Sequence, residues 1–247
     1  MYRSTGDSTL GRTPIRFGTY NICNDQNGGL EIALQGMSQV NMDLGIYQET
    51  NLTFRFYTRG SSVYSVIAMN APIQHQSGVE VFFRLLPRYA VEDIQKFGRN
   101  IVGFQITTIQ RRWYIIRCYL APNNISTIKS VVTALKKRPW RLELLVVGGL
   151  NANLDHTEVD WREGKITAAL TTAVLEDMLA HFLPERRPWC WEGRTWSMVR
   201  LGREVRSWTD YILGTDCCLV RNVAAWDPRN NLEHYMVIGC LRSSPLR

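Results

Sequence analysis

The sequence lacks several features that would each place a protein in a broad class. No apolar run approaches the roughly 20 residues that a membrane-spanning helix needs. Its first residues, Met1–Asp7, have no apolar core of the kind that a secretory signal carries. We therefore expect a protein of the nucleus or cytoplasm that is neither secreted nor embedded in a membrane.

Cysteine is scarce and scattered, with six residues in 247. None of the six forms a CxxC pair, and the adjacent Cys217 and Cys218 lack the spacing of a zinc knuckle. Isolated cysteines in apolar runs are typical of buried free thiols in a reducing compartment. A cysteine-based zinc site is not expected.

Linkers, internal repeats and low-complexity tracts are also missing, which favours one domain. We predict a flexible segment at 1–13, a single domain at 14–243 and a short tail at 244–247. The chain carries 29 basic and 22 acidic residues, for a net charge of +7. This excess favours a polyanionic partner such as nucleic acid, although ordinary soluble proteins also show it.

Periodic apolar patterns predict many strands and three helices. The helices are expected at 30–40, at 126–138 with Ser126 as N-cap and Pro139 as terminator, and at 165–182. The strands are expected at 15–22, 44–48, 63–69, 79–84, 101–107, 113–120, 143–147, 194–198, 210–213, 219–226 and 235–241. Since strands and helices do not alternate strictly, we predict an α/β (α+β) four-layer sandwich: two mixed β-sheets packed face to face, with helices outside.

Polar residues flank these apolar runs. Asn21, Glu49 and Asn151 stand at or just past the ends of strands, whereas Asp210 and the pair Glu233–His234 stand at or before the starts of strands. If the later strands run antiparallel to the earlier ones, all of these residues meet at one rim. Each alone is also explained as a turn residue or cap. Together they could hold a hard divalent cation and place a proton acceptor beside it.

Six short motifs occur in an order and spacing that resemble the endonuclease/exonuclease/phosphatase superfamily. The residues of these motifs are most similar to those of the N-terminal endonuclease domain of non-LTR (LINE-type) retrotransposon polyproteins. The resemblance covers residues 17–243. It rests on Tyr20-Asn21-Ile22, Gln48-Glu49-Thr50, Tyr119-Leu120-Ala121-Pro122, Gly149-Leu150-Asn151-Ala152-Asn153, Ser207-Trp208-Thr209-Asp210-Tyr211-Ile212-Leu213 and Glu233-His234-Tyr235.

This resemblance implies a Mg²⁺ site, with Mn²⁺ as the alternative ion. Glu49 would be the metal-binding carboxylate, Asn21 would help to bind the metal and the phosphate, and Glu233 would be a further metal-site residue. The resemblance also implies a catalytic set: Tyr119 and Asn151 would contact the scissile phosphate. His234 would act on the water or the phosphate, with Asp210 fixing its orientation.

Two positions depart from the family pattern. Gly149 stands where the family has an aspartate that aligns the nucleophile or handles a proton, and Glu233 stands where it has a shorter aspartate. Cys23 occupies a position where some relatives carry a metal-side acid, so it supplies no replacement. Loss of a positioned acid or base group typically lowers a rate by about 10²–10⁴-fold. We therefore expect activity to be weakened or lost.

The segment 186–208 interleaves arginine with tryptophan. It includes the nucleic-acid-binding candidates Arg194, Arg200, Arg203, Arg206 and Trp208. Such a pattern suits phosphate contacts combined with stacking on an unpaired base. It equally suits a β-hairpin with buried tryptophans and solvated arginines.

Two main functional hypotheses follow. The first is a magnesium-dependent, phosphodiester-hydrolysing DNA endonuclease domain of retrotransposon origin, weakened or inactive at Gly149. The alternative is a catalytically dead nucleic-acid-binding module on the same fold; a phosphatase or lipid phosphodiesterase is a third reading. We expect a monomer that acts on DNA. The chain would be either a fragment of a longer polyprotein with a reverse-transcriptase domain or a truncated genomic copy.

Overall fold

The structure is a computed structural model that describes residues 14–22, 29–50, 64–70, 78–84, 86, 88–98, 100–120, 125–151, 166, 168, 176–177, 196–200, 203–207, 210–215, 220–226 and 236–242. The elements in chain order are β1 (Ile15–Asn21), α1 (Gly29–Gln39), β2 (Leu44–Gln48), β3 (Tyr64–Asn70), β4 (Gly78–Arg84), β5 (Ala90–Gly98), β6 (Ile101–Thr107), β7 (Arg112–Tyr119), α2 (Ile125–Lys137), β8 (Glu143–Gly149), β9 (Glu176–Asp177), β10 (Trp196–Arg200), β11 (Arg203–Ser207), β12 (Asp210–Gly214), β13 (Val220–Trp226) and β14 (Met236–Leu241).

These strands form two six-stranded mixed sheets and a separate two-stranded ribbon. The first sheet has the order β13-β14-β1-β2-β4-β3, and the second has the order β5-β6-β7-β8-β12-β9. Each contains a parallel pair, β1 with β2 and β7 with β8, among antiparallel neighbours. Strands β10 and β11 pair only with each other among the described strands.

One hydrophobic core joins the two sheets. Phe17 and Ile46 of the first sheet and Ile115 and Val146 of the second belong to the same buried cluster. Burial of each such side chain contributes roughly 1.5–3 kcal/mol. Helix α1 packs through Met37 on a second cluster at the first sheet, and α2 contacts β5, β6 and β7. The predicted α/β sandwich of two mixed sheets with helices outside is confirmed.

The second predicted helix, 126–138, is present as α2, but Ser126 is not its N-cap. The helix begins at Ile125, so Ser126 lies within its first turn, where its carbonyl accepts a bond from the Ser130 hydroxyl. The helix ends at Lys137, shortly before Pro139 as expected.

The predicted helix 165–182 is wrong in its second half. Ile166 and Ala168 are helical, but Glu176–Asp177 form β9 at the edge of the second sheet. These two residues pair with Leu213 and Gly214 of β12. The apolar residues of this segment recur at helical spacing, but its backbone N–H and C=O groups form hydrogen bonds with the edge of the sheet instead. A pattern of side chains does not reveal that pairing.

No helix in the described ranges is long and apolar enough to span a membrane.

Strand direction brings the predicted rim together. The parallel pairs end side by side, with Asn21 opposite Gln48 in one sheet and Tyr119 opposite Gly149 in the other. Strand β12 runs antiparallel to β8, so its first residue, Asp210, lies opposite Gly149. Strand β14 likewise runs antiparallel to β1. The antiparallel arrangement that the rim hypothesis required is therefore present.

Candidate catalytic site

Glu49 connects the two sheets at this rim. Its Oε1 accepts a hydrogen bond of 2.9 Å from Asn21 Nδ2, at the end of β1, and another from the Tyr119 hydroxyl, at the end of β7. Its backbone has φ 55°, an uncommon conformation for a non-glycine residue. The chain therefore leaves β2 through a strained residue that directs its carboxylate into the space between the sheets.

Tyr119 is buried and holds its proton. Burial is the largest cause that raises the pKa of its hydroxyl, and the charge of Glu49 and the hydrogen bond to it raise the pKa further. A side-chain hydrogen bond with Asn151 acts in the opposite direction and lowers it. The hydroxyl therefore stays neutral at physiological pH and remains a hydrogen-bond donor.

Asn151 follows β8 in a left-handed conformation, with φ 47°. Its Nδ2 donates a 3.0 Å hydrogen bond to the carbonyl oxygen of Leu120, and its side chain also bonds Tyr119. Asparagine tolerates this conformation better than most residues. The turn that the Gly-Leu-Asn motif predicted thus fixes the amide next to the tyrosine.

The two adjacent glycines at the end of β8 differ in whether the backbone requires glycine. Gly148 has φ 137°, and a Cβ there would lie 1.9 Å from the carbonyl oxygen of Cys118, so only glycine fits. Gly149 has no such conformation. A Cβ there would lie 3.2 Å from Asp210 Oδ1 and 3.4 Å from Tyr119 Cδ2, so the neighbours need shift by only tenths of an ångström. The backbone at Gly149 therefore does not require glycine, and a Cβ there would pack closely against Asp210 and Tyr119.

Asp210 completes the described group. It is fully buried, faces Gly149 across the β8–β12 pair, and its charge also raises the pKa of Tyr119. Five of the candidates thus converge on one end of the sandwich: Asn21, Glu49, Tyr119, Asn151 and Asp210.

Solved structures with a similar fold include a retrotransposon endonuclease domain, AP endonucleases and an endonuclease/exonuclease/phosphatase family protein. The endonuclease domain of TRAS1, a telomere-specific non-LTR retrotransposon, is 16% identical, with a TM-score of 0.68 over 93% of this chain and 99% of that one. AP endonuclease LMAP from Leishmania major is 13% identical, with a TM-score of 0.72 over 99% of this chain and 92% of that one. An endonuclease/exonuclease/phosphatase family protein from Leptotrichia buccalis is 12% identical, with a TM-score of 0.62 over 92% and 99% of the two chains.

The fold matches that of the endonuclease/exonuclease/phosphatase superfamily suggested by the motifs. At these identities the likeness shows the fold alone, and it confirms the fold that the six motifs implied. No family model matches the sequence, and no curated protein sequence matches it.

The oxygen donors of this rim suit a hard cation such as Mg²⁺. Glu49 is half-buried, and its Oε2 makes no hydrogen bond or ion pair with any described residue. One carboxylate supplemented by water is a usual way for a protein to hold Mg²⁺. The described ranges contain no group of three or more His, Cys, Asp or Glu that could hold a metal.

Several predicted site residues lie outside the described part of the chain. These are Glu233, His234, Arg194 and Trp208. Arg200, Arg203 and Arg206 lie on the β10–β11 hairpin, where Arg200 pairs with Arg203 and Ser197 pairs with Arg206.

Sequence reasoning missed Arg117, which lies fully buried under the site. Its Nη1 and Nη2 donate 3.3 Å bonds to the carbonyl oxygens of Asn100 and Tyr47, so it spans from β7 to β2. Burial lowers the pKa of its guanidinium well below the usual value. A single arginine within the apolar run of β7 was the available signal, because a charge there must be buried or must interrupt the strand.

Proposed function

We propose that this chain is a DNA endonuclease domain of retrotransposon origin that hydrolyses phosphodiester bonds with Mg²⁺ or Mn²⁺, weakened or silenced at Gly149. One observation carries the proposal: Asn21 and Tyr119 donate hydrogen bonds to the carboxylate of Glu49, Asn151 bonds Tyr119, and Asp210 faces Gly149 at the same rim. This is the inventory needed to bind and orient a phosphodiester.

Each side chain has a distinct role in the proposal. Glu49 would hold the metal ion together with Asn21, and Glu233 would support it. When bound, the ion neutralises phosphate oxygens and charge on the leaving oxygen. Tyr119, kept protonated by its surroundings, would donate a hydrogen bond to the phosphate.

The remaining residues would handle the water. Asn151 would orient the phosphate through its amide, and His234 would accept the proton of the water or contact the phosphate. Asp210, buried at the start of β12, would fix the imidazole. No group at Gly149 aligns the water, which is the step that would be slow.

Nicking of supercoiled plasmid with Mg²⁺ tests this proposal. Gly149→Asp should raise the nicking rate, and Gly149→Asn, which has the same shape without the charge, should not. Adding Glu49→Gln to the Gly149→Asp variant should abolish the gain, because the substitution keeps the side-chain size and removes the carboxylate. The proposal fails if folded Gly149→Asp protein nicks no faster than Gly149→Asn, or if Glu49→Gln has no effect.

A catalytically dead nucleic-acid-binding module is the second candidate, and the β10–β11 hairpin favours it. Arg200 and Arg203 stand opposite each other at one end of the hairpin. Its other end, at Ser207, is three residues from Asp210 in the chain, so it lies within about 11 Å of Asp210. With Arg194, Arg206 and Trp208 it would contact phosphates and bases.

This candidate predicts binding without cleavage. Alanine at positions 200, 203 and 206 should weaken duplex binding, and the dependence of affinity on salt should fall by about 0.9 per lost phosphate contact. Binding that does not respond to salt, or that all three variants leave unchanged, would reject it.

Substrate class separates the remaining alternatives. One structural neighbour is described as a retrotransposon endonuclease and another as an AP endonuclease. The retrotransposon reading predicts nicking of intact plasmid DNA by a monomer, and it predicts that a reverse-transcriptase domain accompanies this one in a longer polyprotein. Cleavage of only abasic DNA or only phosphate monoesters would replace it.

A further inference from the structure

The end of the sandwich opposite the candidate site is strongly basic. Strands β7 and β8 begin there, side by side, with Trp113 opposite Glu143. The segments 108–112 and 136–143, which we call the distal basic surface, contain six basic residues and one acidic residue. Strand β8 crosses the whole sandwich from this surface to Gly149, about 20 Å at the usual rise per residue. The surface is therefore separate from the catalytic rim.

Some of these charges serve the fold. Arg111 pairs with Glu143 at 3.4 Å, and Arg138 donates a 2.8 Å bond to the carbonyl oxygen of Leu135 at the end of α2. Lysines in a last helical turn also suit the helix dipole. These contacts account for part of the surface only.

Three of the charges have no acidic partner among the described residues. Arg112, Lys136 and Lys137 are exposed, and none forms an ion pair with a described residue. Three unpaired cations on one end of the domain attract polyanions, and their attraction weakens with salt.

Trp140 supplies the second, independent feature. It is 79% exposed, although a tryptophan is usually well buried. The guanidinium of Arg141 lies over its ring, 4.5 Å from the centroid, in a cation–π contact. A backbone bond of 3.1 Å from Leu142 to Pro139 closes the turn that presents it. An open aromatic face among cations suits stacking of a nucleobase.

We propose that the distal basic surface binds single-stranded nucleic acid, with Trp140 stacking an unpaired base and Lys136, Lys137 and Arg112 contacting phosphates. A single strand fits better than a duplex, because a duplex buries its base faces and leaves no partner for the exposed indole. The site needs neither a metal ion nor the catalytic rim, so it stands independently of the proposed endonuclease activity.

Fluorescence anisotropy with an oligothymidylate of about 12 nucleotides, in EDTA, tests the proposal. Trp140→Ala should weaken binding by about fivefold or more, and Trp140→Phe should restore most of the affinity. Lys137→Ala should weaken binding and reduce the salt slope by about 0.7. Lys129→Ala is the matched control, because it removes one exposed lysine from the same helix outside the surface.

The location is checked by photocrosslinking an iodouracil-containing strand and mapping the modified peptide. A crosslink at 139–142 is expected. The proposal is overturned if the wild-type protein does not bind the strand, or if Trp140→Ala and Lys137→Ala bind as well as Lys129→Ala. A loss with Lys137→Ala but none with Trp140→Ala, or equal affinity for duplex, would also overturn it, since either result leaves only a general electrostatic surface. Plasmid nicking is a separate measurement, so failure here leaves the proposed activity untouched.

Discussion

The substitution Gly149→Asp tests the candidate site most directly. The new side chain would start 3.2 Å from Asp210 Oδ1 and 3.4 Å from the Tyr119 ring, and the backbone there needs no positive φ. The change therefore introduces a carboxylate beside an existing one, and its Cβ requires Asp210 to shift by a few tenths of an ångström. Its consequences for activity and for stability have opposite signs.

The electrostatic cost is large enough to measure. Two like charges about 4 Å apart interact by about 4 kcal/mol at an effective dielectric near 20. This repulsion would raise the pKa of the introduced carboxyl group, by about three units at most. A raised folded-state pKa means that the penalty is absent below about pH 4, where the carboxyl is protonated in both states, grows as the pH rises from there to the folded-state value, and is constant above it.

Urea denaturation at pH 5 and pH 8 should reveal this dependence. Gly149→Asp should lose more unfolding free energy than Gly149→Asn, and the difference should be larger at pH 8. In parallel, plasmid nicking by the aspartate variant should rise by about 10²–10⁴-fold. Equal stability of the two variants at both pH values would show that the introduced carboxylate lies away from Asp210. That result would refute the claim that a side chain at position 149 lies beside Asp210.

Three further predictions concern the scaffold. Gly148→Ala should prevent folding or lower the thermal midpoint far more than Gly149→Ala, since only the first places a Cβ 1.9 Å from a carbonyl oxygen; similar midpoints would contradict this. Above pH 10, the unfolding free energy of wild type should fall further than that of Tyr119→Phe in urea titrations. The reason is that the unfolded tyrosine ionises there, whereas the folded Tyr119, whose pKa is raised, stays protonated, so rising pH favours the unfolded state. Arg117→Met should keep the unfolding free energy within about 1 kcal/mol of wild type or raise it, because burying the charge costs about as much as its two 3.3 Å bonds return; a loss above about 3 kcal/mol would show that these bonds hold the sheets together.

Strands with a strong apolar pattern could be predicted from the sequence. Strand β2 was predicted with its true bounds, Leu44–Gln48, because every residue in it is buried and a polar turn follows. By contrast, β5 was missed, because four of its nine residues are charged or polar and its residues are largely exposed at the edge of the sheet. An edge strand forms through backbone pairing, which leaves little trace in side-chain hydrophobicity.

The site could be predicted only in part, for a similar reason. Motifs identified Asn21, Glu49 and Asn151, since polar residues at strand ends stand out against apolar runs. The hydrogen bond that joins the two halves of the site, from Tyr119 to Glu49, crosses between the sheets, and no local sequence pattern gives that packing. The sequence also could not distinguish Gly148, which the backbone requires, from Gly149, which it does not, because the difference lies in φ and in one close carbonyl oxygen.

The backbone around Gly149 gives a reason to expect that the protein binds a phosphodiester even where it no longer cleaves one. Glu49 and Asn151 both keep a left-handed conformation, and such residues typically cost about 1–3 kcal/mol each. The carboxylate of Glu49 and the amide of Asn151 both bond Tyr119, and glycine would adopt either backbone conformation with less strain. Since Gly149 lacks a side chain while these two turns stay strained, the structure keeps the geometry on which the proposed binding of ion and phosphate depends. Loss at Gly149 should therefore slow the chemical step while leaving affinity for a phosphodiester largely intact, a split that separate measurements of binding and nicking would resolve.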